Sequence, residues 1–183
     1  MGIARLLLRL TIGALFVGHG TQKLFGWFGG PGLAGTAATF EKLGLRPGRR
    51  HALAAGAAEA GGGALLAAGF ATPLAAGTLT STMLTAIDRV HASNGPWVTD
   101  GGYEYNLVLI AAVLGLAETG PGALALGRGR AGAGWALAAL TGGLAGAAGV
   151  RYLAPADGEA PGEPLRDAAV EAAHAAHASV AAA

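Results

Sequence analysis

The chain opens on an apolar run, Ile3 to Leu24, in which Arg5 and Arg9 are the only charges before His19. At about 1.5 Å of rise per helical residue, a run of this length reaches across roughly 30 Å of hydrocarbon. The run recurs. Ala52 to Phe70 is interrupted by Glu59 alone, and Pro73 to Val90, Tyr103 to Leu116 and Ala131 to Val150 follow. Lipid leaves the edge groups of an open sheet unsatisfied, so a chain built from such runs folds as helices. The predicted fold is all-α: a polytopic membrane four-helix bundle with a fifth, C-terminal transmembrane helix. A secretory signal peptide is the competing reading of the first run. Its length, the lack of an A-x-A-like cleavage site and the later runs favour an uncleaved helix.

Charge supports lipid as the solvent. Only 13% of residues are charged and 52% are hydrophobic, against roughly 25% charged in a typical soluble domain. The 33 glycines among 183 residues, with abundant Ala, suit close helix–helix approach. A formal net charge of +1 argues against an electrostatic nucleic-acid binder. The absence of cysteine excludes disulfides, thiol redox chemistry and Cys-ligated iron–sulfur or zinc sites.

The breaks between runs carry their own signals. "FATPLA" supplies a tight turn, with Pro73 suited to the first turn of a helix. The third run is rich in Thr, whose hydroxyls back-bond within helices. "TAATFEKLG", Thr36 to Gly44, reads as a short interfacial helix with Phe40 and Leu43 inward and Gly44 as its cap. The expected organisation is a four-helix transmembrane domain over 1–126, an extra transmembrane helix over 127–152 and a polar to Ala-rich tail over 153–183, with a short helix from about Pro164. The positive-inside rule divides: Arg5, Arg9, Arg128 and Arg130 oppose Lys42, Arg46, Arg49 and Arg50 of the first loop. The expectation is a cytoplasmic first loop.

If the first four helices alternate in direction, His19 and Lys23, Glu59, Asp88 and His91, and Glu104 fall towards one membrane face. His19 and Lys23, four apart, share a helical side; Asp88 and His91, three apart, can do the same. Arg5, Arg9 and Glu118, at the other end, are expected nearer the water. A charge inside a bilayer is costly unless paired, and by depth Lys23 is the expected partner of Glu59. These six residues form the candidate ligand-binding pocket. Trp27, Phe28 and Trp97 are expected at headgroup level, as interfacial anchors or a lid. Structural readings stand beside each: Glu59 as an ion-pair member, His19 as a packed histidine, Lys23 snorkelling, Asp88 and His91 as solvated surface, Glu104 as a helix N-terminal charge.

No metal or haem is expected. Paired Glu-x-x-His motifs from two core helices are missing, and "EAAHAAH", with Glu171, His174 and His177, is read as chance spacing in an Ala-rich tail. An axial pair of His19 and His91 is the weaker alternative. "GWFGGPG" lacks the preceding strand and the G-K-[ST] ending of a phosphate loop.

Three stretches, "RLTIGALFVGHGTQKLFGWFGGPGLAGTAATFEKLGL", "AAEAGGGALLAAGFATPLAA" and "GGYEYNLVLIAAVLGLAETGPGALAL", together resemble the DoxX family of small bacterial membrane proteins. They cover Arg9 to Leu126. The resemblance implies a four-helix, multi-pass protein of the bacterial inner membrane. It implies matching positions at His19, Gly20, Lys23, Gly26, Trp27, Glu59 and Glu104. Some relatives are associated with thiosulfate:quinone oxidoreductase complexes, others with oxidative stress and thiol or sulfur metabolism. The expected function is therefore a subunit of a membrane redox system that binds a quinone or similar lipophilic molecule, a non-autonomous oxidoreductase subunit with soluble or membrane redox partner proteins. No electron-carrying cofactor motif is present in the chain itself. A small-solute or lipid binding or transport module, and a membrane scaffold for soluble redox partners, are the alternatives. Membrane lipid and a homo-oligomer complete the expected partners.

Overall fold

The computed structural model describes residues 2–127 and 130–154. All regular structure among them is helical: α1 (Ile3–Phe25), α2 (Gly32–Lys42), α3 (Gly48–Ala68), α4 (Thr72–Ala86), α5 (Glu104–Thr119) and α6 (Ala133–Leu153). The expected runs are all there. α1 and α6 are each long and apolar enough to cross a membrane by length and composition. Glu171, His174, His177 and the helix expected from Pro164 lie outside the described residues.

Local chemistry sets the boundaries. α1 stops at Gly26, whose φ of 74° admits the left-handed turn that carries its N–H back to the Gln22 carbonyl at 3.2 Å. Pro73 sits in the first turn of α4, where its missing N–H costs nothing. Within α4, Thr82 and Thr85 donate back to the Leu79 and Ser81 carbonyls, each at 2.9 Å. The end of α4 widens into a π-turn over Ile87–His91, which re-aims Asp88, Arg89 and His91 relative to the helix before it.

Small residues decide which helices meet. A Cβ placed on Gly13 would lie 2.6 Å from the Gly63 carbonyl oxygen, and one on Gly20 would lie 2.6 Å from that of Gly56. α1 and α3 therefore run antiparallel with their backbones in contact. α4 and α6 run parallel, since Gly77 faces Ala139, Gly143 faces Thr80 and Gly146 faces Ser81. Between these seams, Ile12, Phe16, Leu66, Leu79, Ile110, Val113 and Leu116 form the shared apolar core. α2 packs on α3 and α1.

One expectation is corrected at the start of α1. Arg9 is not near water but 1% exposed. Its guanidinium donates to the carbonyls of Ala67 at 2.6 Å, Ala123 at 2.8 Å and Leu124 at 2.7 Å. The chain after α5, over residues 120–127, folds back under the helices, and Leu126 and Gly127 bond the Ala68 and Gly69 carbonyls at 3.0 and 3.2 Å. The end of α3 and this connection present carbonyls that no helix satisfies. A planar cation with five donors fills that need. Arg5, beside it, donates to the Thr119 carbonyl. Glu118 is exposed, as expected.

Candidate functional site

A cleft of about 970 Å³ occupies the opposite end of the molecule and continues as a groove between α3 and α6, with α4 as its floor. Most of its wall is Ala, Gly, Leu and Thr. Its polar lining is concentrated where α1, α3, α5 and the π-turn come together: His19 and Lys23, His51 and Glu59, Tyr105 and Asn106, Arg89 and His91.

The central contact is an ion pair. Lys23 Nζ lies 2.6 Å from Glu59 Oε2. α1 brings Lys23 one turn above the Gly20–Gly56 contact, and α3 presents Glu59 three residues beyond Gly56, so the close seam sets the distance. Glu59 is buried, while Lys23 keeps about a quarter of its side chain exposed. The lysine backbone is held as well, because its carbonyl accepts from Thr36 Oγ1 of α2 at 3.3 Å. His19 stands on the rim, exposed and lining the cleft.

His91 lines the cleft and ties its loop together: Nδ1 lies 2.7 Å from the Gly101 carbonyl oxygen. That leaves Nε2 as the ring nitrogen free to meet a ligand. Asn106 is buried, and its Nδ2 donates to Met83 Sδ at 3.4 Å.

Two of the six candidates do not line the cleft. Asp88 lies outside it, 3.2 Å from Arg89 Nε and bonded to Arg151; it joins the end of α4 to the end of α6. Glu104 turns into its own loop, where Oε1 accepts from the Val98 N–H at 2.8 Å. Its backbone N–H also donates to the Pro96 carbonyl at 2.8 Å, so both ends of this residue organise the α4–α5 connection. Trp27, Phe28 and Trp97 are exposed and lie outside the cleft wall. Trp27 stacks instead with Phe25 and Phe28, at ring separations of 5.4 and 6.4 Å. The wall that α2 contributes is Phe40 and Leu43, followed by Leu45.

Arg89 is the residue that sequence reasoning passes over. It is 7% exposed, lines the cleft, and donates Nη2 to the Ala154 carbonyl at 2.6 Å. The rule that flags Glu59, an ionisable group inside an apolar run, applies to Arg89 equally. Its position beside Asp88, near the end of the run, hides it among solvated loop charges. Among the described residues no three His, Asp or Glu side chains converge as a metal site would require.

Neither a curated protein nor a solved structure matches the chain. The profile of the DoxX family matches residues 4–92, the segment from α1 through the π-turn that supplies His19, Lys23, Glu59, Arg89 and His91. That segment carries a DoxX domain, and α1 and α6 are the two helices among the described residues that are long and apolar enough to cross a membrane.

Proposed function

We propose that this protein crosses the bacterial inner membrane several times, through α1, α3, α4, α5 and α6, and serves as a subunit of a membrane redox system. Its cleft holds a quinone or a similar lipophilic molecule. The observation that carries the reading is the cleft itself: an apolar slot of about 970 Å³ with the Lys23–Glu59 pair, His19 and His91 grouped at one end.

The residues fit such a guest. The ring system needs an apolar slot, which Phe16, Leu109 and Met83 provide, and donors for its carbonyl oxygens, which His19 and Lys23 offer. A bound quinone would supply two-electron, two-proton chemistry. The chain's own residues would orient the head and hold protons near it: Lys23 keeps Glu59 in place, and Glu59 and His19 stand between the cleft and the exposed rim. Electrons come from a partner protein, since no cofactor motif accompanies the site.

The test is equilibrium binding of a ubiquinone or menaquinone analogue to the purified protein in lipid nanodiscs, read by quenching of tryptophan emission. Saturable binding, weakened by Glu59→Gln and by His19→Ala in protein of unchanged helicity, supports the reading. Unsaturable partitioning, or binding indifferent to both substitutions, overturns it.

A further inference from the structure

One hydrogen-bonding role in the cleft wall is fixed by its neighbour. A carbonyl oxygen can only accept, so in the 2.7 Å contact between His91 Nδ1 and the Gly101 carbonyl the ring nitrogen is the donor. A neutral imidazole that donates from Nδ1 carries a lone pair on Nε2. His91 lines the cleft, so it meets a guest there as an acceptor.

The wall around it has the same polarity. Thr82 and Thr85 line the cleft, and each spends its hydroxyl proton inside α4, on the Leu79 and Ser81 carbonyls at 2.9 Å. Their oxygens keep only lone pairs for a guest. Asn106 of α5 commits Nδ2 to Met83 Sδ at 3.4 Å, which leaves its Oδ1. Arg89, in the same wall, is engaged by Asp88 at 3.2 Å and by the Ala154 carbonyl at 2.6 Å. The hydroxyls of Ser81 and Tyr105 rotate to donate or accept, and so do not discriminate. On α1, by contrast, Lys23 can only donate.

The two oxidation states of a quinone differ in this respect. Both oxygens of the oxidised form accept only, and one facing His91 Nε2 would set lone pair against lone pair. The reduced form carries two hydroxyls, each able to donate and to accept. One can donate to Nε2 while the oxygen of the other accepts from Lys23.

We infer that the cleft binds the quinol more tightly than the quinone, and that His91 Nε2, accepting from a quinol hydroxyl, makes the difference. The inference rests on the quinone reading and adds the oxidation state that the site prefers. One hydrogen bond made in one state and missing in the other corresponds to a preference of about tenfold. Such a preference raises the two-electron potential of the bound couple by about 30 mV. That direction helps a bound quinone to take electrons from a partner.

The test is an anaerobic titration of the full chain in lipid nanodiscs with decylubiquinone and with decylubiquinol, by calorimetry against empty nanodiscs. The expected affinity ratio is about ten in favour of the quinol. His91→Asn keeps an amide donor where Nδ1 stood and removes the acceptor at Nε2, so the ratio falls to about one. His91→Gln reaches the Nε2 position with an oxygen and holds the ratio well above one. Both are compared at wild-type helicity. Equal, saturable binding of the two forms by the wild type overturns this inference alone. So does a ratio that survives His91→Asn, or a His91→Gln protein without preference. If His91→Asn does not fold, the wild-type and His91→Gln ratios decide. Glu59→Gln and His19→Ala weaken both forms together and leave the ratio in place. Failure of both forms to saturate the wild type overturns the quinone reading, and this inference with it.

Discussion

Lys23 of α1 and Glu59 of α3 form an ion pair at 2.6 Å, with the carboxylate buried and the ammonium at the cleft rim. The pair sits directly beyond the place where Gly20 and Gly56 bring the two helices into backbone contact. Packing and electrostatics are thus coupled: the glycines set the approach, and the approach sets the pair.

Breaking one side of that pair leaves a buried charge. Lys23→Met is expected to destabilise the protein by about 3 kcal/mol, because the stranded Glu59 loses its partner. The double variant Lys23→Met/Glu59→Leu should recover most of that loss. A double-mutant cycle in reversible detergent unfolding checks it. Additive losses would show that the pair contributes no coupling.

The α1–α3 seam predicts opposite outcomes at two neighbouring glycines. Gly20→Val forces a Cβ to within 2.6 Å of the Gly56 carbonyl oxygen and should cost about 1–3 kcal/mol. Gly18 has nothing within 4 Å of its Cβ position, so Gly18→Ala should be neutral or stabilise by up to about 1 kcal/mol. Thermal unfolding of both variants separates packing from helix propensity.

Arg9 latches the chain after α5 to the end of α3, through the Ala123 and Leu124 carbonyls on one side and the Ala67 carbonyl on the other. Arg9→Met should cost about 3 kcal/mol, since hydrogen bonds from a charged group are worth about 1.5–3 kcal/mol each and their losses do not add fully. Cleavage within residues 120–127 should quicken in limited proteolysis. Arg9→Lys keeps the charge without the planar fork and should restore less than half of the lost stability. A lysine variant as stable as the wild type would show that charge alone suffices.

Glu104 organises its loop through the Val98 N–H and is absent from the cleft wall. Glu104→Ala is expected to cost about 1 kcal/mol, the usual worth of such a bond, with quinone affinity unchanged. Glu104→Gln keeps an acceptor and should be close to wild type in both. Loss of affinity in the glutamine variant would place Glu104 among the ligand-contacting groups.

Several particulars were legible before any coordinates. The Ala- and Gly-rich runs appear as α1, α3, α4, α5 and α6, and the Thr36–Gly44 stretch falls in α2 and its cap. Helix spacing alone put His19 and Lys23 on one side of α1, and a lone carboxylate in an apolar run called for a nearby cation, which Lys23 supplies. Arg9 and Arg89 were less legible because each stands close to a run's end, where charge in sequence looks solvated. Their burial depends on distant chain, Ala123 and Leu124 after α5 for one and Ala154 at the end of α6 for the other.

By itself, then, the sequence determined that the chain is helical, where its helices lie, and that its ionisable groups gather towards one end. Those properties follow from hydrophobic run length and the 3.6-residue period, which are local. Tertiary structure alone decided which of those groups share a cavity. Rotation of each helix about its axis is set by its packing partner, and the direction of a side chain at a helix end by the loop it meets. Lys23, Glu59, His91 and Arg89 were turned into the cleft wall, and Asp88 and Glu104 away from it.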